Sequence, residues 1–340
     1  MQSHLQAYCT RRFPTRPGLQ VKDLVSITAG WENEVYAFDL EYGPPEARRC
    51  DPLILRIYPG DHAERKSAHE FHSMQKLHDA GYPVPYVHFV EQTDLPFEKP
   101  FVIMDRIEGR VMGLILASAP EWEKRDLRTL FCELLVRLQR LNWRPFMEEG
   151  ESYDAQEPYV FVDHYLASER EVLKDSLLRG FLPIVEWLQE RRDDVPCREP
   201  SVMHGDFHAN NILVRHDGSA VVIDWTGCQV SDPRMDLALT LLAVRIYGSV
   251  ERRDYCLREY ERLAGAKVQQ IEWFETLACL WRLRTVTVSL SKGPEKLGWR
   301  PDAARTIKQQ MGAIKQVYDL LLQRTDTRVS EVERLFASVG

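Results

Sequence analysis

Several things are missing from this sequence. No stretch of its 340 residues approaches the roughly 20 consecutive apolar residues a membrane span needs, so no membrane partner is expected. The seven cysteines are scattered, odd in number and never spaced Cys-x-x-Cys. That argues against a disulfide framework and a cysteine zinc site, and points to reduced thiols in a cytoplasmic setting. The start, Met1-Gln2-Ser3-His4-Leu5, lacks the basic residues and apolar run of a secretory signal. A basic surplus is also missing. Lys and Arg number 44 against 51 Asp and Glu, a net charge of −7, which disfavours nucleic acid as a partner. No repeat or low-complexity tract appears. What is left, 44% hydrophobic and 28% charged, suits a globular chain of one large or two ordinary domains, expected as a monomer or dimer.

The chemistry concentrates in residues 202–238. His204-x-Asp206 is followed by Asn211, by Asp224 closing a second apolar run, and by Asp232-Pro233 and Asp236. Residues 212–215 and 220–223 read as strands, joined by His216-Asp217-Gly218-Ser219, whose Asp-Gly pair marks a hairpin turn. A hairpin brings its ends together, so Asn211 and Asp224 are expected side by side. An amide oxygen and a carboxylate are hard ligands, suited to Mg²⁺ rather than zinc. Phosphoryl transfer needs this set: one carboxylate facing an attacking hydroxyl, and two oxygen ligands holding Mg²⁺ against nucleotide phosphates.

His204-Gly205-Asp206-Phe207-His208-Ala209-Asn210-Asn211, Ile223-Asp224-Trp225 and Asp232-Pro233-x-x-Asp236-Leu237-Ala238 together resemble the aminoglycoside phosphotransferases. These belong to a broad group of small-molecule kinases, choline and homoserine kinases among them, that share the protein-kinase-like fold. The resemblance implies Asp206 as catalytic base and Asn211 and Asp224 as magnesium ligands. It also implies Asp236 as a buried brace of the catalytic loop, and His204 as a structural residue. His208 falls where protein kinases place a lysine that contacts the γ-phosphate. The implied fold is α+β and two-lobed. An antiparallel sheet with a helix would occupy residues 1–104, a mainly helical lobe residues 105–340, and a hinge about 104–109.

Along the rest of the chain, residues 1–20 are expected to wrap the surface. Residues 24–27 and 35–38 read as strands around a turn that contains a single glycine, Gly30. Family members often carry Gly-x-x-Asn here, which makes Gly30 and Asn33 candidates for the nucleotide phosphates by resemblance. Residues 53–58, between Pro52 and Pro59, form a clear strand. A kinase would place a phosphate-binding lysine on it. This chain has Arg56, which keeps the charge and can bind phosphate bidentately. Residues 62–80 read as a helix with Glu70, Met74 and Leu77 on one face, and Glu70 becomes the implied partner of Arg56. Strands at 87–91 and 100–105 would complete five. In the hinge, Met104 is assigned to the adenine pocket wall, with the Asp105 carbonyl and the Ile107 N–H on the base.

Beyond residue 110, helices are expected at 121–141, 159–174, 177–192, 236–247, 250–264, 268–291 and 302–323. Aromatic residues in 268–291 read mainly as core. Glu272 and Glu275 there are weighed as grips for ammonium groups against solvated surface charge. The expected activity is ATP-dependent (GTP being allowed) transfer to a small-molecule hydroxyl, an aminoglycoside antibiotic being one candidate acceptor. The alternatives are a metabolic kinase of the choline, homoserine or sugar type, and a nucleotide-binding regulator without transfer activity.

Overall fold

The computed structural model describes residues 1–27, 32–147, 153–154, 156–300 and 303–339. The chain forms two compact units. One comprises Met1–Arg110, Ile212–Thr226 and Gly298–Arg300; the other comprises Val111–Asn211, Gly227–Leu297 and Pro301–Gly340.

The first unit begins with α1 (Gln2–Arg12), followed by β1 (Gln20–Ser26), β2 (Glu34–Tyr42), β3 (Arg49–Ile57), α2 (Ala63–Asp79), β4 (Val87–Glu91) and β5 (Phe101–Asp105). Among the described residues the strands make a five-stranded antiparallel sheet in the order β1-β2-β3-β5-β4. Successive strand residues point to opposite faces. Leu53, Leu55 and Ile57 of β3 therefore share one buried face, packed with Phe38, Phe101, Leu5 and Tyr8. Arg56 takes the other face. The expected surface wrap at 1–20 is thus corrected. Leu5, Tyr8 and Cys9, spaced i, i+3, i+4, line one side of α1 and bury themselves in the sheet's core.

The second unit opens with β6 (Arg110–Val111), whose Val111 it holds, and continues through α3 (Met112–Ser118), α4 (Glu121–Gln139), α5 (Val160–Val172), α6 (Leu182–Glu190) and β7 (Ser201–Met203). The hairpin β8 (Ile212–Val214) and β9 (Ala220–Val222) belongs to the first unit, with Ile212 opposite Val222. Gly218 turns it at φ +82°, a conformation glycine adopts without steric cost. The second unit resumes with β10 (Gln229–Ser231), α7 (Pro233–Tyr247), α8 (Val250–Ala264), α9 (Ile271–Lys292), α10 (Ala303–Gln309), α11 (Met311–Thr325) and α12 (Ser330–Val339).

Helix boundaries differ from expectation for local reasons. Helix α7 starts three residues early because Pro233 occupies its first turn and the Asp232 side chain caps the Arg234 N–H. The expected 302–323 helix is two helices, broken where Gln310 leaves helical geometry at ψ 12°. The first part of the expected 177–192 helix is a 3₁₀ segment, Ser176–Phe181. Helix α9 buries Trp273, Phe274, Leu277, Ala278 and Leu280, the pattern of a helix at the centre of a bundle.

Candidate active-site residues

In the sheet-bearing unit, Arg56 is the centre of a polar cluster. Its Nη1 lies 3.2 Å from Glu70 Oε1 and its Nη2 lies 2.7 Å from Asp224 Oδ1. The Asn33 amide, oriented with its oxygen toward the guanidinium, accepts from Nη2 at 2.7 Å and Nε at 3.0 Å. Glu70 reaches the cluster from α2 and is fully buried. Its Oε2 accepts the Tyr58 hydroxyl and its Oε1 accepts the Trp225 N–H at 3.2 Å. Burial disfavours charge on Arg56, but attraction to Asp224 and Glu70 outweighs it, and the pKa is raised. Burial pushes the Glu70 pKa up, against the pull of Arg56.

Asp224 stands apart from its neighbours in backbone as well as charge. It sits at φ +69°, in the left-handed region where a side chain costs on the order of 1 kcal/mol and Asp is among the tolerated residues. Its side chain keeps 37% exposure while Arg56 keeps 12%. Two carboxylates thus face one guanidinium, and the more exposed carboxylate is held in a strained conformation.

In the helical unit, the loop after β7 is braced from below. His204 and Asp236 are fully buried. Asp236, from α7, accepts the His204 N–H at 2.8 Å and the Gly205 N–H at 3.0 Å. Burial raises the Asp236 pKa, opposed by His204 and these two hydrogen bonds. Gly205 lies at φ +83°, and a Cβ there would meet the Gly227 carbonyl oxygen at 2.8 Å, so the bend requires glycine. The Phe207 carbonyl accepts from Thr240 at 3.0 Å, and His204 Nδ1 accepts the Asp206 N–H at 3.2 Å.

The loop's backbone is therefore fixed while the Asp206 side chain remains 70% exposed. His208 Nε2 lies 3.3 Å from Asp206 Oδ2. Desolvation works against charge on Asp206, but the His208 hydrogen bond and attraction to His208, His204 and Arg282 outweigh it and lower its pKa. Asn211 donates Nδ2 to the Asp206 carbonyl at 3.0 Å, which turns its amide oxygen the other way. Arg282, on α9, donates to Tyr247 Oη at 3.1 Å and to Gln310 Oε1 at 3.4 Å.

Of the remaining sequence candidates, Met104 is buried in β5 opposite Ile54. The Asp105 N–H donates to the Tyr86 carbonyl at 2.9 Å, and the Asp105 carboxylate pairs with His88 at 2.8 Å. Ile107 is half-buried. Gly30 lies outside the described residues. Sequence reasoning passed over Tyr58, the residue just after β3, whose hydroxyl Glu70 accepts. It also passed over Trp225, buried at the hairpin's exit with its ring edge-on to Tyr82. Glu275 is not a solvated surface charge. It is 1% exposed between Arg253, with contacts of 2.8 and 2.9 Å, and Arg324.

The model of the phosphotransferase enzyme family (APH) matches residues 23–274. A candidate aminoglycoside phosphotransferase of Ralstonia eutropha has a similar fold, with TM-score 0.67 at 13% identity over 98% of each chain. Aminoglycoside phosphotransferase APH(4)-Ia gives 0.61 at 16% identity, over 94% of this chain and 99% of that one. Spectinomycin phosphotransferase APH(9)-Ia, in complex with ADP and spectinomycin, gives 0.56 at 12% identity, over 95% and 98%. Acyl-CoA dehydrogenase family member 10 of Mus musculus is 25% identical over 206 residues. That match takes in 56% of this chain but spans only 18% of the mouse protein.

Proposed function

From the premise that this chain belongs to the phosphotransferase enzyme family, we propose that it transfers the γ-phosphoryl group of ATP to a hydroxyl of a small molecule. The nucleotide is taken from structural neighbours solved with ADP and with AMP-PNP. The observation that carries the reading is the braced loop, which holds Asp206 by its backbone and leaves its carboxylate exposed. In that role Asp206 orients the acceptor hydroxyl and takes its proton. It is ionised at neutral pH like other carboxylates, and its lowered pKa weights its role toward orienting the hydroxyl over drawing off the proton.

Asn211 and Asp224 would hold Mg²⁺. Both offer hard oxygens, and the Asn211 nitrogen is engaged by the loop, so its oxygen is the ligand end. Bound magnesium supplies neutralisation of the phosphate oxygens. Arg56 sets the orientation of Asp224 and adds a permanent positive charge. Met104, Asp105 and Ile107 at the adenine, Gly30 and Asn33 at the phosphates, and His208 beside the γ-phosphate complete the proposal. A cytoplasmic setting agrees with the free cysteines, and no helix among the described residues is long and apolar enough to cross a membrane.

Of the two candidate grips for a polycationic aminoglycoside, Glu272 is exposed and Glu275 is withdrawn. Glu275 is sealed between two arginines and cannot grip an ammonium group. The test is Mg-ATP consumption by wild type and Asp206→Ala across aminoglycosides, amino alcohols, hydroxy acids and sugars. Turnover that depends on the acceptor should fall by about 10²–10⁴-fold in the variant. Equal turnover in a folded Asp206→Ala protein would remove Asp206 from the role of base.

A further inference from the structure

The sheet-bearing unit contains a segment that the kinase reading does not use. Gly298–Arg300, from the chain between α9 and α10, belongs to this unit although its flanking residues belong to the other. Trp299 Nε1 donates to Glu32 Oε1 at 3.0 Å, across 267 residues of sequence. Lys66, from α2, donates to the other oxygen of the same carboxylate at 3.3 Å. Gly298 lies beside that lysine, whose Nζ would be 3.5 Å from a Cβ at this position.

Glu32 is followed by two residues that are tied down in turn. Asn33, 5% exposed, addresses two N–H groups of Arg56. Glu34 pairs with Lys99 at 2.7 Å. Three successive residues are therefore anchored to three different places: residue 32 to the segment and α2, residue 33 to β3, residue 34 to the residues before β5. Displacing residue 32 would shift the Asn33 backbone and loosen its oxygen on the guanidinium. Arg56 would then lose its only neutral acceptor among the contacts described above, and would be free to shift between Glu70 and Asp224.

We propose that Trp299 is a positioning residue for the nucleotide, acting through Glu32 and Asn33 on the Arg56 guanidinium. This rests on the kinase reading, because it assigns Arg56 to the nucleotide phosphates. Indole is a donor without acceptor capacity, so it matches a carboxylate oxygen, and its bulk lets a three-residue segment reach across to β2's entrance.

The experiment is calorimetric binding of Mg-AMP-PNP to the full chain, with steady-state kinetics alongside. Trp299→Phe keeps the ring bulk and removes the donor. It should weaken nucleotide binding about fivefold, the size of one hydrogen bond, while leaving the acceptor KM unchanged. Adding it to Arg56→Gln should cause no further loss, since both act on one chain of contacts. Glu32→Ala removes the same link from the other side and should weaken binding to at least the same extent, which keeps the test open if Trp299→Phe does not fold. Unchanged affinity in both folded variants, or full additivity with Arg56→Gln, would overturn the proposal. If wild type binds and Arg56→Gln weakens it while the Trp299 and Glu32 variants do not, the kinase reading stands and this inference alone fails. No binding by wild type overturns both.

Discussion

Two arginine–carboxylate clusters in this protein have opposite arrangements. In the sheet-bearing unit one guanidinium, Arg56, stands between two carboxylates, Glu70 and Asp224. In the helical unit one carboxylate, Glu275, stands between two guanidinium groups, Arg253 and Arg324. The second is closed at its carboxylate. Its members are 1%, 13% and 16% exposed, and they bolt α9 to α8 and α11. The first is closed at Glu70 and open at Asp224, whose backbone is also strained. Similar residue types are thus arranged in opposite ways. On the proposed reading the partly exposed Asp224 is open to a cation that arrives with its ligand, whereas the buried Glu275, gripped by two guanidinium groups, ties helices together.

Substitutions should separate the two. Asp224→Asn is expected to lower turnover by at least about 100-fold, as removal of a preorganised electrostatic group does, with the melting temperature nearly unchanged. Kinetics and a thermal melt on one preparation check this, and a large fall in melting temperature would mean that the first cluster is structural too. Glu275→Gln should show the reverse pattern. It leaves Arg324 without its carboxylate partner and Arg253 with Asp254 alone, so unfolding free energy should drop by about 3 kcal/mol in urea titrations, with nucleotide affinity retained.

Glu91 offers a smaller effect as a control, since hydrogen bonds rather than an ion pair dominate its surroundings. Burial opposes its charge. The N–H groups of Thr93 and Asp94 and the hydroxyls of Tyr8 and Thr93 outweigh burial and hold its pKa at about 2, against an ordinary 4.5. A depressed carboxylate contributes stability above its unfolded pKa and loses it as pH falls through the folded value. Glu91→Gln should therefore flatten the decline of the urea midpoint between pH 4.5 and 2. An unaltered slope would assign the acid sensitivity to other groups.

Much of this was legible in the sequence wherever the determining contacts are local. Asp217-Gly218 marks the hairpin, and the strand alternation that buries Leu55 also puts Arg56 on the opposite face. The Glu70, Met74, Leu77 stripe is buried on one side of α2, while Glu64 is exposed. Helix α1 was missed because Leu5, Tyr8 and Cys9 are set among arginines and prolines that read as surface. The Glu275 cluster and the Trp299 contact were invisible for a different reason. Each joins residues far apart in sequence through a polar group, and no local spacing encodes such a partner.

The buried Trp225 also bears on the order in which the chain can be finished as it leaves the ribosome. Its N–H satisfies Glu70 and its ring packs on Tyr82, yet it is made some 140 residues after them (225 against 82). The five-stranded sheet is translated early, but the unit it belongs to stays incomplete until the hairpin emerges, and gains Trp299 later still. Through that interval the nascent unit must wait with Tyr82 lacking its Trp225 contact and Glu70 lacking one of its donors. Domains made first usually fold first. Here the first to be made is among the last to be completed, and a fragment ending at residue 110 would be a poor vehicle for studying nucleotide binding on its own.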